Sequence, residues 1–146
     1  MEIEINIVSA DEDEFIAVAG SSSPLNEWSG FAAPGLDTVK VATLHSLVTG
    51  DSLQSALDMY DPVFLDDGET GALRVADELI EALALLDEDS LEGLAAELAA
   101  TDDFESDGWD VEDVLTLLTE ISELAQLAES QGQILFVWIA LRQGQE

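Results

Sequence analysis

One histidine, no cysteine and three basic residues leave this chain few ways to assemble a reactive centre. The histidine is His45, inside Leu44-His45-Ser46-Leu47-Val48-Thr49-Gly50, a stretch that reads as helix. A Ser-His-Asp triad would need an activated serine, and the chain has no G-x-S-x-G elbow. His45 therefore reads as a helix residue with an ordinary hydrogen bond. A multi-histidine metal site is impossible, and the H-E-x-x-H pattern does not occur. Without Cys there are no disulfides, no thiolate-bound zinc and no thiol catalysis. Lys40 does not follow the glycines of a phosphate-binding loop. With only Arg74 and Arg142 beside it, the chain has few cationic clamps for nucleotide chemistry.

Carboxylates are abundant, but their spacing singles out no catalytic pair. Asp103-Phe104-Glu105-Ser106-Asp107-Gly108 approximates the first half of a calcium loop. It departs at the third position, which is Glu, and at the twelfth, where the bidentate Glu is replaced by Val114. The segment reads as a solvated loop with helix caps, and Asp66-Asp67-Gly68-Glu69 reads as a turn. Acid–base pairs of the glycosidase kind are recognised by separation in space, and in so acidic a chain adjacency carries no information. The expectation is a protein that is not an enzyme, with no catalytic residue, no metal and no cofactor. Of the three tryptophans, Trp138 lies in an apolar run and belongs to the core, whereas Trp28 and Trp109 fall in loops. Trp109, flanked by Asp107 and Asp110, has the composition of an aromatic anchor ringed by acid, a residue type enriched where partners bind.

Thirty-three Asp and Glu against three Lys and Arg give a formal net charge of −30. Surface scaling for this mass gives roughly 7,000 Å², or about one carboxylate per 200 Å². That spacing exceeds the Debye length of about 8 Å at physiological salt, so average self-repulsion is screened in a cell. Direct nucleic-acid binding and anionic membranes are disfavoured, and a basic protein partner is favoured. The residues expected to steer it are Asp102, Asp103, Asp107, Trp109, Asp110, Glu112 and Asp113, extended by Glu120 and Glu123.

These residues have to be positioned by a domain of ordinary size, and 146 residues with 47% apolar content fit one, spanning 1–146. Glu2 to Ser9 alternates polar and apolar, the pattern of a half-buried strand with Ile3, Ile5 and Ile7 inward. A short helix is expected over 15–19, and a loop pinned by aromatics up to Gly35. Asp37 caps a helix that ends at Gly50, with Val41, Leu44, Leu47 and Val48 on one side. Asp51 is expected to cap a second helix ending before Tyr60, and residues 61–71 read as turns. Apolar spacing predicts an amphipathic helix over 71–86, a further one over 91–99 capped by Asp89-Ser90, and a polar loop over 101–109. Asp110 with Asp113 forms a capping box for a long helix from Val111 to about Ser130, stopped by Gly132. Residues 134–141 (ILFVWIAL) read as a central strand covered on both faces. The fold class is α+β, a small sheet that pairs the N- and C-terminal strands and packs against four to five helices.

The segment LHSLVTG resembles the LH-x-x-LTG segment of the bacterial YfbM-like domains of unknown function. In outline the likeness covers 36–141: an acidic Gly-containing loop, an amphipathic helix, a Trp-led loop with a long helix, and a closing strand. The family carries a Trp between a Lys and the LH pair, where this chain has only Val41-Ala42-Thr43. The resemblance implies an α+β fold and brings no catalytic residue.

Met1-Glu2-Ile3-Glu4 lacks the positive charge of a signal peptide, and the run 134–141 is far short of the about 20 residues a span needs, so a cytoplasmic protein is expected. Two functional readings follow. One is an acidic inhibitor or immunity-type protein that neutralises a basic toxin or nucleic-acid-binding partner, with DNA mimicry as its sharper form. DNA carries one charge per about 1.7 Å of axis, so mimicry requires carboxylates clustered on one side. The other is a salt-adapted domain whose acidity reflects a halophilic host.

Overall fold

The computed structural model describes residues 2–21, 23–33, 35–60, 63–64 and 70–142. The fold is α+β. Five antiparallel strands form one sheet in the order β2-β1-β5-β4-β3, where β1 is Glu2–Ala10, β2 Ser29–Ala32, β3 Val63–Phe64, β4 Thr70–Arg74 and β5 Ile134–Arg142. The chain ends pair as expected, with Ile5 opposite Ile139 and Ile7 opposite Val137.

β5 is central, and its unbroken apolar run has the expected cause. Leu135, Val137 and Ile139 enter the main core together with Ile5, Ile7 and Leu73. Phe136, Trp138 and Ala140 enter a smaller core on the other face with Val8, Ala10 and Ala72. That second core corrects the reading of β1 as half-buried. Its alternate residues Asn6, Val8 and Ala10 are buried too, under a short helix α1 (Phe15–Ala19) that adds Val18 and Ala19. Phe15 stacks on Phe136 at 5.7 Å between ring centroids, and Trp138 Nε1 donates to the Ser21 carbonyl at 2.9 Å.

The main core is covered by helices. α2 (Thr38–Thr49) is capped by Asp37, whose carboxylate accepts from the Lys40 N–H, and ends at Gly50 with φ 86°, the left-handed conformation that suits glycine. Its first half is buried from Lys40 through His45, whereas Leu47, expected inward, is exposed. α3 (Leu53–Met59) is capped by Ser52 and not by Asp51. α5 (Glu88–Ala99) starts one turn earlier than its apolar pattern, because Asp87 and not Asp89 is the cap. α7 (Val111–Gln131) has the expected Asp110/Asp113 capping box, buries Val114, Leu118, Ile121, Ala125 and Ala128, and stops at Gly132.

Three further segments differ from expectation. The helix predicted over 71–86 is β4 followed by α4 (Asp77–Ala84). Leu73 falls at helical spacing from Leu79 and Ile80, but pairing of Gly71 and Leu73 with Ile139 and Val137 on β5 overrides that local preference. Gly71 also admits β3 at close range, since a Cβ there would lie 2.5 Å from the Val63 carbonyl oxygen. Residues 61–71, read as turns, contain β3 and the start of β4. The turn reading of Asp66 to Glu69 lies outside the described residues. The loop expected before Gly35 contains strand β2, and the loop expected over 101–109 contains α6 (Asp102–Ser106), anchored by fully buried Phe104.

Candidate functional site

Lys40 and Arg74 are both paired with acids of the fold. Lys40 is buried, with 2% of its side chain exposed, and pairs with Asp107 and with Asp37 (3.4 Å) while its ammonium lies 5.8 Å from the centre of the Phe104 ring. Burial pulls the Lys40 pKa down, but the hydrogen bond to Asp107 and the charge of Asp37 outweigh it, holding it above the ordinary 10.5. Arg74 pairs with Glu12 and with Asp77 at 3.1 Å.

This pairing fixes α6 beside α2, helped by a 2.9 Å bond from Thr43 Oγ1 to Asp103. Trp109 then stands edge-to-face on Phe104 at 5.4 Å, beside Gly35, where an added Cβ would lie 3.5 Å from the indole. Gly35 has φ 86°, so the chain turns there in a conformation that favours glycine. Trp109 thus forms the wall of an open hollow of about 380 Å³ between α7 and the end of β2, lined by Ala32, Ala33, Asp107, Gly108, Asp113, Thr116, Leu117 and Glu120. Glu120 also borders a second hollow of about 320 Å³ with Ser29, Gly30, Phe31, Glu123, Leu124 and Leu127. The two share a wall on α7, where positions 113, 116, 117, 120, 123, 124 and 127 recur at helical spacing on one face. The result is a groove with an apolar floor and an acidic rim, running beside β2 at one edge of the sheet.

Of the expected partner-binding residues, Asp107, Trp109, Asp113, Glu120 and Glu123 meet along this groove. Asp103 and Asp107 border a third hollow around Lys40, so Asp107 is shared and already neutralised. Asp102, Asp110 and Glu112 are exposed but line none of the three. Among the described residues Glu120 and Glu123 have no ion-pair partner. The opposite wall, Phe31 to Ala33 with Gly30, was not foreseen. Its signal was a four-residue strand with no clean alternation, hidden between Trp28 and Gly35.

A second cluster surrounds His45. The imidazole is fully buried, its Nδ1 2.9 Å from the Tyr60 hydroxyl and its Nε2 2.7 Å from Asp51 Oδ2. The Ala76 N–H donates to the Tyr60 oxygen at 3.2 Å. One arrangement that satisfies all three groups has Tyr60 donating to Nδ1 while Nε2–H donates to Asp51. The bond from His45 holds the Asp51 carboxyl below its ordinary 3.8, and burial pushes the Tyr60 phenol up to about 12. His45 thus does hold structural hydrogen bonds, as its position in a helix implied.

No family model, no curated protein and no solved structure matches this chain.

Proposed function

We propose that the protein works by binding a basic partner along the groove between α7 and β2, as an inhibitor or immunity-type protein would, and not by catalysis. The observation that carries this is the position of Glu120 and Glu123. Both are exposed, have no ion-pair partner among the described residues, and rim an apolar floor that includes Leu117, Leu124 and Phe31. A lysine- or arginine-bearing surface would gain steering from the rim and burial from the floor. Trp109 supplies a rigid aromatic wall. The alignment of Asp113, Glu120 and Glu123 along one face of α7 also supports the sharper form, a surface that presents charge to a nucleic-acid-binding protein. A cytoplasmic setting fits an inhibitor of this type. The resemblance of LHSLVTG to a segment of the YfbM-like domains would bring an α+β fold and no activity.

The salt-adaptation reading is supported by a separate observation, the exposed acids on α4 and α5 that line neither hollow of the groove, among them Glu81, Glu92 and Glu97. A pull-down from the source cell at moderate salt separates the two. The binding reading expects a folded bait at 0.15 M salt (~8 Å Debye length) that retains a basic protein released as salt rises. A bait that unfolds at that salt, or retained species indifferent to ionic strength, would favour adaptation.

A further inference from the structure

We infer that His45, Asp51 and Glu78 form a binding site for one divalent cation of the zinc class, a function separate from the groove. The three donors arrive from different elements: His45 from α2, Asp51 from the connection between α2 and α3, and Glu78 from the first turn of α4. One ligand atom from each lies within 4.8 Å of the others. Tetrahedral coordination at 2.0–2.2 Å places donor atoms roughly 3.3 Å apart. The Nε2 to Asp51 distance of 2.7 Å and the Nε2 to Glu78 Oε1 distance of 3.8 Å bracket that value, so modest side-chain rotation closes the set.

The surroundings favour a cation. His45 is completely buried and cannot swing away, whereas the Asp51 and Glu78 side chains are 40% and 57% exposed. An ion would be gripped from the protein side and left open to water on the other, the pattern of three protein ligands plus solvent. Tyr60 supplies the outer support that a ligating histidine requires. With the ion on Nε2, that nitrogen's proton is displaced, the ring takes the Nδ1–H form, and the Tyr60 oxygen changes from donor to acceptor. One imidazole with two carboxylates suits a borderline cation better than magnesium or calcium, which prefer all-oxygen sets. The net charge of −30 enriches cations at the surface without choosing among them, so the imidazole makes the choice.

His45 is the sole histidine, so its ring resonances report this site alone. Metal-free protein is titrated with Zn²⁺ in excess Mg²⁺ while the imidazole nitrogens are followed by NMR. The expected result is loss of the Nε2 proton and a metal-bound Nε2 signal that saturates at one equivalent. Glu78→Gln, which alters an exposed side chain, should weaken this binding by about tenfold or more, whereas Glu120→Gln with Glu123→Gln should leave it unchanged. Zinc uptake that never perturbs the His45 ring, or equal affinity in Glu78→Gln, would overturn the assignment.

Discussion

The groove between α7 and β2 and the junction around Lys40 and His45 are built from the same side chain, the carboxylate, used in opposite ways. At the junction every acid has an internal counterpart: Asp37 and Asp107 hold a buried ammonium, and Asp51 holds a buried imidazole. These contacts lock α2 to α6 and to the start of α3. In the groove Glu120 and Glu123 are exposed and have no ion-pair partner among the described residues. A charge that satisfies a buried partner supports the fold. A charge left to water contributes little to stability and remains available to another molecule. In a chain with 33 acids, composition cannot separate the two classes, but the location of a handful of cations and one imidazole can.

The largest effect that would test this contrast is on the junction. His45→Ala opens a cavity and strips Tyr60 and Asp51 of their shared partner, and should lower stability by about 2–4 kcal/mol in denaturant unfolding. Lys40→Met should cost less, about 1–2 kcal/mol, because Asp37 and Asp107 are each more than half exposed and rehydrate once the ammonium is gone. The Lys40 pKa is raised in the fold, so its contribution is complete below 10.5 and is lost as pH rises through the folded value. Wild type should therefore lose an alkaline share of its stability that Lys40→Met lacks, read from urea midpoints across that range.

Asp87→Ala, the loss of the α5 cap, should lower the urea midpoint slightly near neutral pH. Hydrogen bonds from Ser90 hold the Asp87 carboxyl below 3.8, so the gap to wild type should close as pH falls below that value. Smallest of all, Glu120→Gln with Glu123→Gln should change stability by no more than about 0.5 kcal/mol. A large loss there would erase the distinction between the two regions.

The sequence made some of this legible. Strong local signals survived: the capping box at Asp110, the glycine stops at Gly50 and Gly132, and the long stripe of α7 that carries the groove wall. The pairing of β1 with β5 also followed from their apolar patterns. What failed depended on distant partners. Leu73 looked helical until β5 was available to pair with β4, and Asp51 looked like a cap until His45 was placed beside it. Asp113, Glu120 and Glu123 line one groove, but Asp107, expected to steer a partner, is paired with Lys40, 67 residues away in the chain. Phe31 and Ala33 were missed because β2 is short and takes its form from β1.

The central claim is that location, not total charge, makes the groove a binding surface. It is tested most directly with two variants of equal net charge. One neutralises Asp113, Glu120 and Glu123 as Asp113→Asn, Glu120→Gln and Glu123→Gln. The other neutralises Glu81, Glu92 and Glu97 by Glu→Gln. Affinity for the basic protein captured from the source cell is measured for both at physiological salt. The groove variant should bind at least about tenfold more weakly, a loss of ~1.4 kcal/mol, while the variant outside the groove binds like wild type. Equal weakening of both, or of neither, would contradict the account.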